Sequence, residues 1–283
     1  MKVRFLGTAA GGGAPQWNCG CRVCEHARRD GVSRTQDGLA VSGDGRSWYL
    51  VNASPDLRTQ LLAAPELRAP PGTRDTPIRG VLLTSAELDH TLGLLSLRET
   101  TALDVHATAS VHEALKSAFP IEGVLAGYTR VRELRVRDGE PFDLDGGLRV
   151  TAVVLSGKRP RYAAGLPRGD WVSAYRFETS RGVFVYAPGL STWHTGIVSG
   201  ADVVVLDGTF LTEDEMGPDR PASGMGHLAV REVLPLLGAN PGPRYVFTHL
   251  NNTNPLVLPD APELAELTEV NASVAADGQL LEI

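Results

Sequence analysis

Residues whose types could do chemistry collect at a few places along the 283-residue chain. The first is "TSAELDHT", Thr84 to Thr91, where an acid and an imidazole, Asp89 and His90, follow the apolar run "IRGVLL", with Ser85 and Glu87 just before them. A strand end feeding a loop suits metal-binding or catalytic groups, because a rigid scaffold holds them while the loop exposes them. The plainer alternative is that Asp89 caps a helix beginning near Thr91. Further on, "DVVVLDGTF" runs apolar into Asp207, and "RYVFTHLNNTN" runs apolar into His249. Each has an ordinary explanation on its own, Asp207 as a turn residue before Gly208 and His249 as a satisfied core histidine. Their joint recurrence at strand ends favours metal ligation instead. Two histidines with one or two carboxylates suit a non-haem Fe(II) centre, whereas three or more histidines suit hydrolytic zinc better.

All three cysteines fall within six positions, Cys19, Cys21 and Cys24 in "WNCGCRVC". An odd number packed so closely cannot be a disulfide framework, and a reducing compartment leaves such residues as thiols. Thiolates separated by one and by two residues can converge on one tetrahedral ion, and zinc prefers such soft ligands. A structural zinc is therefore expected, with His26, His227 and Asn252 as candidates for the fourth ligand. It would pin the glycine-rich loop "GTAAGGGAPQWN", which has little side-chain packing of its own. His227, in "GMGHLAV", stands at a helix start after two glycines and is a candidate general acid/base or substrate contact. Arg58 and Arg98 could hold a substrate carboxylate bidentately, although a solvated face explains them almost as well. His106, His112 and His194 have no ligand-like neighbour in sequence and read as structural or exposed.

Elements must position these groups. Short β-like runs bounded by Gly, Pro, Asp or Asn recur throughout: "KVRFLG", "SWYLVN", "IRGVLLT", "LDVHAT", "LRVTAVVL", "VSAYRFET", "GVFVYA", "DVVVLDG" and "RYVFTHL". Helical patterns lie between several of them. "SPDLRTQLLAA" opens with Ser54 as N-cap and Pro55 at the first helical position. "ASVHEALKSAF", "HLAVREVLPLLG" and "APELAELTEVNASVA" look similar, with Pro235 set to shorten or kink the third of these four. The segments 68–77 and 156–170 are too polar and too broken for core and read as surface or active-site loops. No internal repeat, heptad or low-complexity tract is visible. Strands dominate both halves, so the pattern favours an α/β fold of two packed sheets covered by helices, in a single domain spanning 1–283.

A formal net charge of -6 with both signs mixed gives no basic stripe of the kind nucleic-acid binding needs. No apolar run approaches the length of a bilayer span, and "MKVRFLGTAAGGG" reads as a first strand and turn and not as a signal peptide. The expectations are no nucleic acid, no membrane and a cytoplasmic location, with a homodimer left open.

The assembled residues resemble the metallo-β-lactamase superfamily, whose members carry His-x-His-x-Asp-His after a strand, then a histidine, a bridging aspartate and a last histidine. Aligned by eye, Ser85 and Glu87 stand where the first two histidines would be, and Asp89 and His90 match the end of the motif. Asp207 matches the bridging acid and His249 the last histidine, while Ser156 in "VVLSGKR" lies in the region of the intermediate one. Half of the usual ligands are exchanged, a pattern unlike a dinuclear zinc hydrolase. Within the superfamily the chain is similar to the coenzyme PQQ synthesis protein B family, on "FLGTAAGGGAPQWNCGCRVC", "DHTLGLLSLRE", "LDGTFLTEDEM", "MGHLAV" and "THLNNTNP". The resemblance implies a four-layer αβ/βα sandwich with mixed sheets. It also implies a role in making pyrroloquinoline quinone (PQQ), as an iron-dependent hydroxylase that uses O₂ to oxidise the tyrosine-derived ring of a glutamate–tyrosine precursor. On that reading Asp89, His90, Asp207 and His249 hold the active-site ion, Fe(II) or zinc, and Cys19, Cys21 and Cys24 hold a structural zinc. Glu87 would add a ligand or receive a proton, and His227 would serve as base. Two rivals stand beside it: a zinc hydrolase of an ester or phosphodiester, and a carrier that transports PQQ or its precursor. In the related phosphodiesterase branch a histidine three residues after the last ligand joins the cysteines, and Asn252 holds that place here.

Overall fold

A computed structural model describes residues Met1–Ile283. In the first half of the chain the strands are β1 (Lys2–Gly7), β2 (Gly38–Ser42), β3 (Trp48–Val51), β4 (Ile78–Leu82), β5 (Ala102–Ala107) and β6 (Arg130–Arg135). The second half contributes β7 (Pro141–Leu144), β8 (Leu148–Ser156), β9 (Val172–Thr179), β10 (Gly182–Ala187), β11 (Val203–Asp207), β12 (Arg244–Thr248), β13 (Ala272–Val274) and β14 (Leu280–Glu282). They form two seven-stranded sheets, ordered β14-β1-β2-β3-β4-β5-β6 and β13-β12-β11-β10-β9-β8-β7.

The two sheets share one recipe. In the first, β14, β1, β2 and β3 pair antiparallel, and β3 to β6 then run parallel. In the second, β7 to β10 pair antiparallel and β10 to β13 run parallel. Parallel neighbours need crossovers, and these carry the helices. They are α1 (Arg22–Asp30), before the crossovers begin, then α2 (Leu57–Ala63), α3 (Leu88–Thr91), α4 (Ala109–Glu113), α5 (Ile121–Leu125), α6 (Thr195–Val198), α7 (Val230–Gly238) and α8 (Leu264–Thr268). The repeat is one of topology, without the sequence periodicity that would have announced it.

Period-two alternation sorts each strand's side chains into layers. Val203 and Val205 of β11 join Phe5, Val41, Phe177 and Phe184 between the sheets. Val204 and Leu206 of the same strand face outward onto Val230, Val233 and Leu237 of α7. Both faces of these strands are buried, so they read as continuous apolar runs. The result is the four-layer αβ/βα sandwich that the resemblance implies, helices outside and two mixed sheets within.

Several elements differ from the sequence reading. The stretch "APELAELTEVNASVA" is helical only at Leu264–Thr268, because Asn271 takes a positive φ of 53° and releases the chain into β13 beside β12. Helix α2 starts after Asp56 instead of Ser54, since the Asp56 carboxylate is engaged by Gln36 and the chain bends there first. Asp89 is not a helix cap: it lies inside the single turn α3, whose N-cap position is Glu87. Pro235 sits within α7 without ending it. No helix is long and apolar enough to cross a membrane.

Candidate metal centre

In open α/β sheets, ligands bind beyond the carboxyl ends of parallel strands. The parallel strands β4, β11 and β12 all end at one cavity of about 270 Å³, lined among others by Ser85, Glu87, Asp89, His90, Thr209, His227 and His249. Asp89 and His90 hang on the single turn α3 just after β4, while Asp207 is the last residue of β11. His249 follows β12 directly and takes a φ of 58°, a left-handed conformation costly for a residue with a Cβ and characteristic of functional sites.

One ligand atom from each of Asp89, His90 and His249 lies within 4.8 Å of the other two. A second group of the same tightness joins Asp207, His227 and His249. His249 is thus the pivot between them, with its ring centroid 5.4 Å from that of His90 and 5.9 Å from that of His227.

The hydrogen bonds fix which nitrogen each imidazole offers. Thr209 Oγ1 lies 2.5 Å from Asp207 Oδ1, and a carboxylate can only accept, so the hydroxyl proton goes there. The same oxygen must then accept from His249 Nδ1 at 2.8 Å, which leaves His249 Nε2 bare in the neutral ring. That nitrogen faces Asp89 Oδ2 at 3.3 Å. Two acceptors so placed call for a cation between them, whether a proton or a metal ion. His90 Nδ1 lies 2.7 Å from Ser85 Oγ, and its Nε2 is buried without any partner. An orphaned ring nitrogen beside a carboxylate and a second bare nitrogen is a donor set that fits a metal ion, with hydroxyls holding the far sides of the rings.

Charge follows the same pattern. Burial pulls the His249 pKa down, but the hydrogen bond and charge of Asp89, helped by Asp37 and Asp207, outweigh it and raise the pKa to about 9. Burial dominates at His90 and holds it near 4, so the ring is neutral. Asp89 is held well below the usual range: the penalty of burial is overcome by His90 and His249. Glu87, half-buried at the cavity wall, is pushed up by burial and by Asp89.

Asp207 falls in the second of these groups. Its carboxylate accepts from Thr209 N at 3.0 Å, Thr209 Oγ1 at 2.5 Å, Leu190 N at 2.9 Å and His227 Nδ1 at 2.6 Å. Both oxygens are thereby occupied by protein donors, and its group includes neither Asp89 nor His90. What it does geometrically is hold His227, whose ring packs edge-on against Phe210 and stacks on His249.

The cysteines also meet: the sulfurs of Cys19, Cys21 and Cys24 lie within 4.8 Å of one another. The Cys21 thiol caps α1, accepting from Cys24 N at 3.4 Å. Of the three candidates for a fourth ligand, Asn252 alone touches them, its amide 3.3 Å from Cys24 Sγ. His26 is drawn off by Asp30 and Asp260, and His227 belongs to the other site. The glycine-rich loop runs between the two centres, and a Cβ on Gly11 would come within 3.2 Å of Asp89 Oδ2.

Neither Arg58 nor Arg98 reaches the cavity. Both are exposed, and Arg98 pairs with Glu99 and lies over the Tyr128 ring. The cations at its mouth are Lys158 and Arg220, neither of them in a salt bridge. Gly226, at φ 86°, makes room for Lys158, whose Nζ would lie 2.6 Å from a Cβ at that position. A basic loop directly after β8, "SGKRPRY", was the available signal for Lys158. His106 packs on Phe142, whereas His112 bonds Glu122 at 2.8 Å and, unlike its sequence reading, falls with Glu122 and Glu133 in a third group of possible ligands.

Comparison with known proteins agrees with this geometry. Residues 47–250 match the family model of the beta-lactamase superfamily domain. A coenzyme PQQ synthesis protein B from Cupriavidus necator is 41% identical, over 98% of this chain and 97% of the relative. One from Pseudomonas paraeruginosa is 39% identical over the full length of both. Among solved structures, Zn(2+)-bound PqqB from Methylobacterium extorquens aligns over 100% of each chain with a TM-score of 0.91 at 33% identity. A diphosphatase of the PhnP family shares the fold, with a TM-score of 0.72 at 21% identity. The chain belongs to the coenzyme PQQ synthesis protein B family of the β-lactamase superfamily.

Proposed function

We propose that this protein acts in the biosynthesis of PQQ as an iron- and oxygen-dependent hydroxylase of the tyrosine-derived ring of a glutamate–tyrosine precursor. The observation that carries the reading is the donor set of Asp89, His90 and His249, one carboxylate and two imidazoles, with His90 Nε2 buried and unpartnered. Two histidines and one carboxylate are the ligands of non-haem Fe(II) oxygenases. When bound there, Fe(II) supplies the one-electron chemistry that lets O₂ react with a phenol.

The remaining residues supply binding and proton transfer. His227, with its Nδ1–H held by the buried Asp207, presents Nε2 as a base for the phenolic proton. Glu87, its pKa raised by burial and by Asp89, is placed to take up a proton at the cavity wall. Lys158 and Arg220 at the mouth engage the carboxylates of an amino-acid-derived substrate.

A second reading, zinc-dependent hydrolysis of an ester or phosphodiester, draws on His227 as a third imidazole at the cavity and on the zinc in the Methylobacterium extorquens relative. Anaerobic loading with Fe(II), followed by O₂, the precursor and ascorbate, which supplies the two electrons that reduce the second oxygen atom to water, distinguishes the two. A ring-hydroxylated product is expected. No such product, with iron verified at the site by metal analysis, overturns the hydroxylase, and oxygen-independent turnover with zinc alone establishes the hydrolase.

A further inference from the structure

Behind the metal centre lies a carboxylate that the chemistry above does not use. Asp37, just before β2, is 1% exposed and has no cationic side chain paired with it. Its oxygens accept only from two neutral hydroxyls, Thr248 Oγ1 at 2.5 Å and the hydroxyl of Tyr186, which is itself completely buried. Burying a carboxylate against neutral donors costs several kcal/mol, and an apolar residue of similar volume would usually serve stability better. Its position suggests what offsets that cost. Thr248 immediately precedes His249, whose left-handed backbone aims the ring.

A second polar arm reaches the other imidazole. Asn52 directly follows β3 at φ 66°, and its Oδ1 accepts from both Thr84 N and Thr84 Oγ1 at 3.0 Å. With its proton spent on Asn52, Thr84 Oγ1 is left to accept from His90 Nδ1 at 3.3 Å. The Asn52 amide nitrogen is buried without a bonded partner and lies beside the Tyr186 hydroxyl. The two arms therefore approach each other at Tyr186, on β10 of one sheet, and Asn52, after β3 of the other. The core around them includes the apolar side chains Val51, Leu82, Val205 and Val246.

We propose that Asp37 and Tyr186 are positioning residues for the metal centre. Asp37, through Thr248, holds the strained turn that points His249 Nε2 at Asp89. Tyr186 locks that carboxylate and stands against the Asn52–Thr84–His90 arm, so the two imidazoles keep one spacing although they come from different sheets. This rests on Asp89, His90 and His249 being the ligands, and not on which reaction the ion supports.

The test measures Co(II) and zinc affinity at the active site by chelator competition, in protein that keeps its cysteine-bound metal, together with the thermal midpoint. Asp37→Asn is expected to weaken active-site metal binding about 10- to 100-fold, the range found when groups behind metal ligands are removed. Its thermal midpoint should hold or rise, because a buried charge has gone. Tyr186→Phe and Thr248→Val, which keep shape, should weaken binding in the same direction and shift the Co(II) ligand-field spectrum. Unchanged affinity and spectrum in folded Asp37→Asn overturn the proposal. If that variant does not fold, unchanged affinity in both Tyr186→Phe and Thr248→Val overturns it equally. His90→Ala and His249→Ala serve as controls: metal binding that survives both shows that the ligand assignment, and not the positioning role, is at fault.

Discussion

His227 Nδ1 lies 2.6 Å from Asp207 Oδ2, and this bond separates the two aspartates of the site by role. Asp89 faces a bare imidazole nitrogen across the cavity, whereas Asp207 is saturated by protein donors and keeps His227 in one tautomer. Asp207→Asn should therefore retain active-site metal while lowering turnover about 10²- to 10⁴-fold, the usual worth of a correctly protonated general base. Metal analysis beside kcat checks this. Loss of the ion in Asp207→Asn would restore the ligand role suggested by its place in the sequence motif.

Lys158 and Arg220 predict a different kinetic signature. If they engage the substrate carboxylates as proposed, replacing either with Met removes a charge-assisted contact without touching the reacting atoms, so KM should rise about 10- to 100-fold with kcat nearly unchanged, as expected for contacts of 1.5–3 kcal/mol. Arg58→Met and Arg98→Met should leave both constants alone, because those side chains are exposed away from the cavity. Steady-state kinetics on the four variants gives the answer.

Stability should fall in mild acid in part because of His106. Burial against Phe142 and Tyr49 holds its folded pKa near 4, below the ordinary 6.5, so the unfolded chain binds a proton that the folded one refuses. The loss begins as pH drops below about 6.5 and is complete below about 4, amounting to about 3 kcal/mol. Urea unfolding of the wild type and His106→Phe across that range should show a shallower slope in the variant. Parallel slopes would mean that His106 is not the group responsible.

The cysteine cluster predicts a stability effect without a catalytic one. Cys24→Ser should release one equivalent of zinc and lower the thermal midpoint, since α1 and the glycine-rich loop are anchored there. Asn252→His, placing an imidazole where an amide now touches Cys24, should tighten zinc binding. Chelator competition on the two variants measures both shifts.

What the sequence revealed and what it hid follow from burial. Strands such as β11 and β12, apolar on both faces, are legible as runs, and so are the polar residues at their ends. Strand β6, "RVRELR", is charged and lies at a sheet edge, and α1, "RVCEHARRD", buries only Val23, Cys24 and Ala27, so neither carries a readable apolar pattern. Within the site, the nearness of Asp89, His90 and His249 could be anticipated because each follows a strand. The bond from Asp207 to His227 spans 20 residues of loop, and the approach of Lys158 depends on the missing side chain of Gly226. Such relationships exist only once the loops are folded, and periodicity cannot encode them.

The central claim, that Asp89, His90 and His249 hold one ion, is tested most directly by anomalous scattering from crystals loaded anaerobically with Fe(II). Data on both sides of the iron edge should give one iron peak bounded by the Asp89 carboxylate, His90 Nε2 and His249 Nε2, with zinc confined to Cys19, Cys21 and Cys24. An iron peak elsewhere, or none at these three side chains in fully loaded protein, would contradict it.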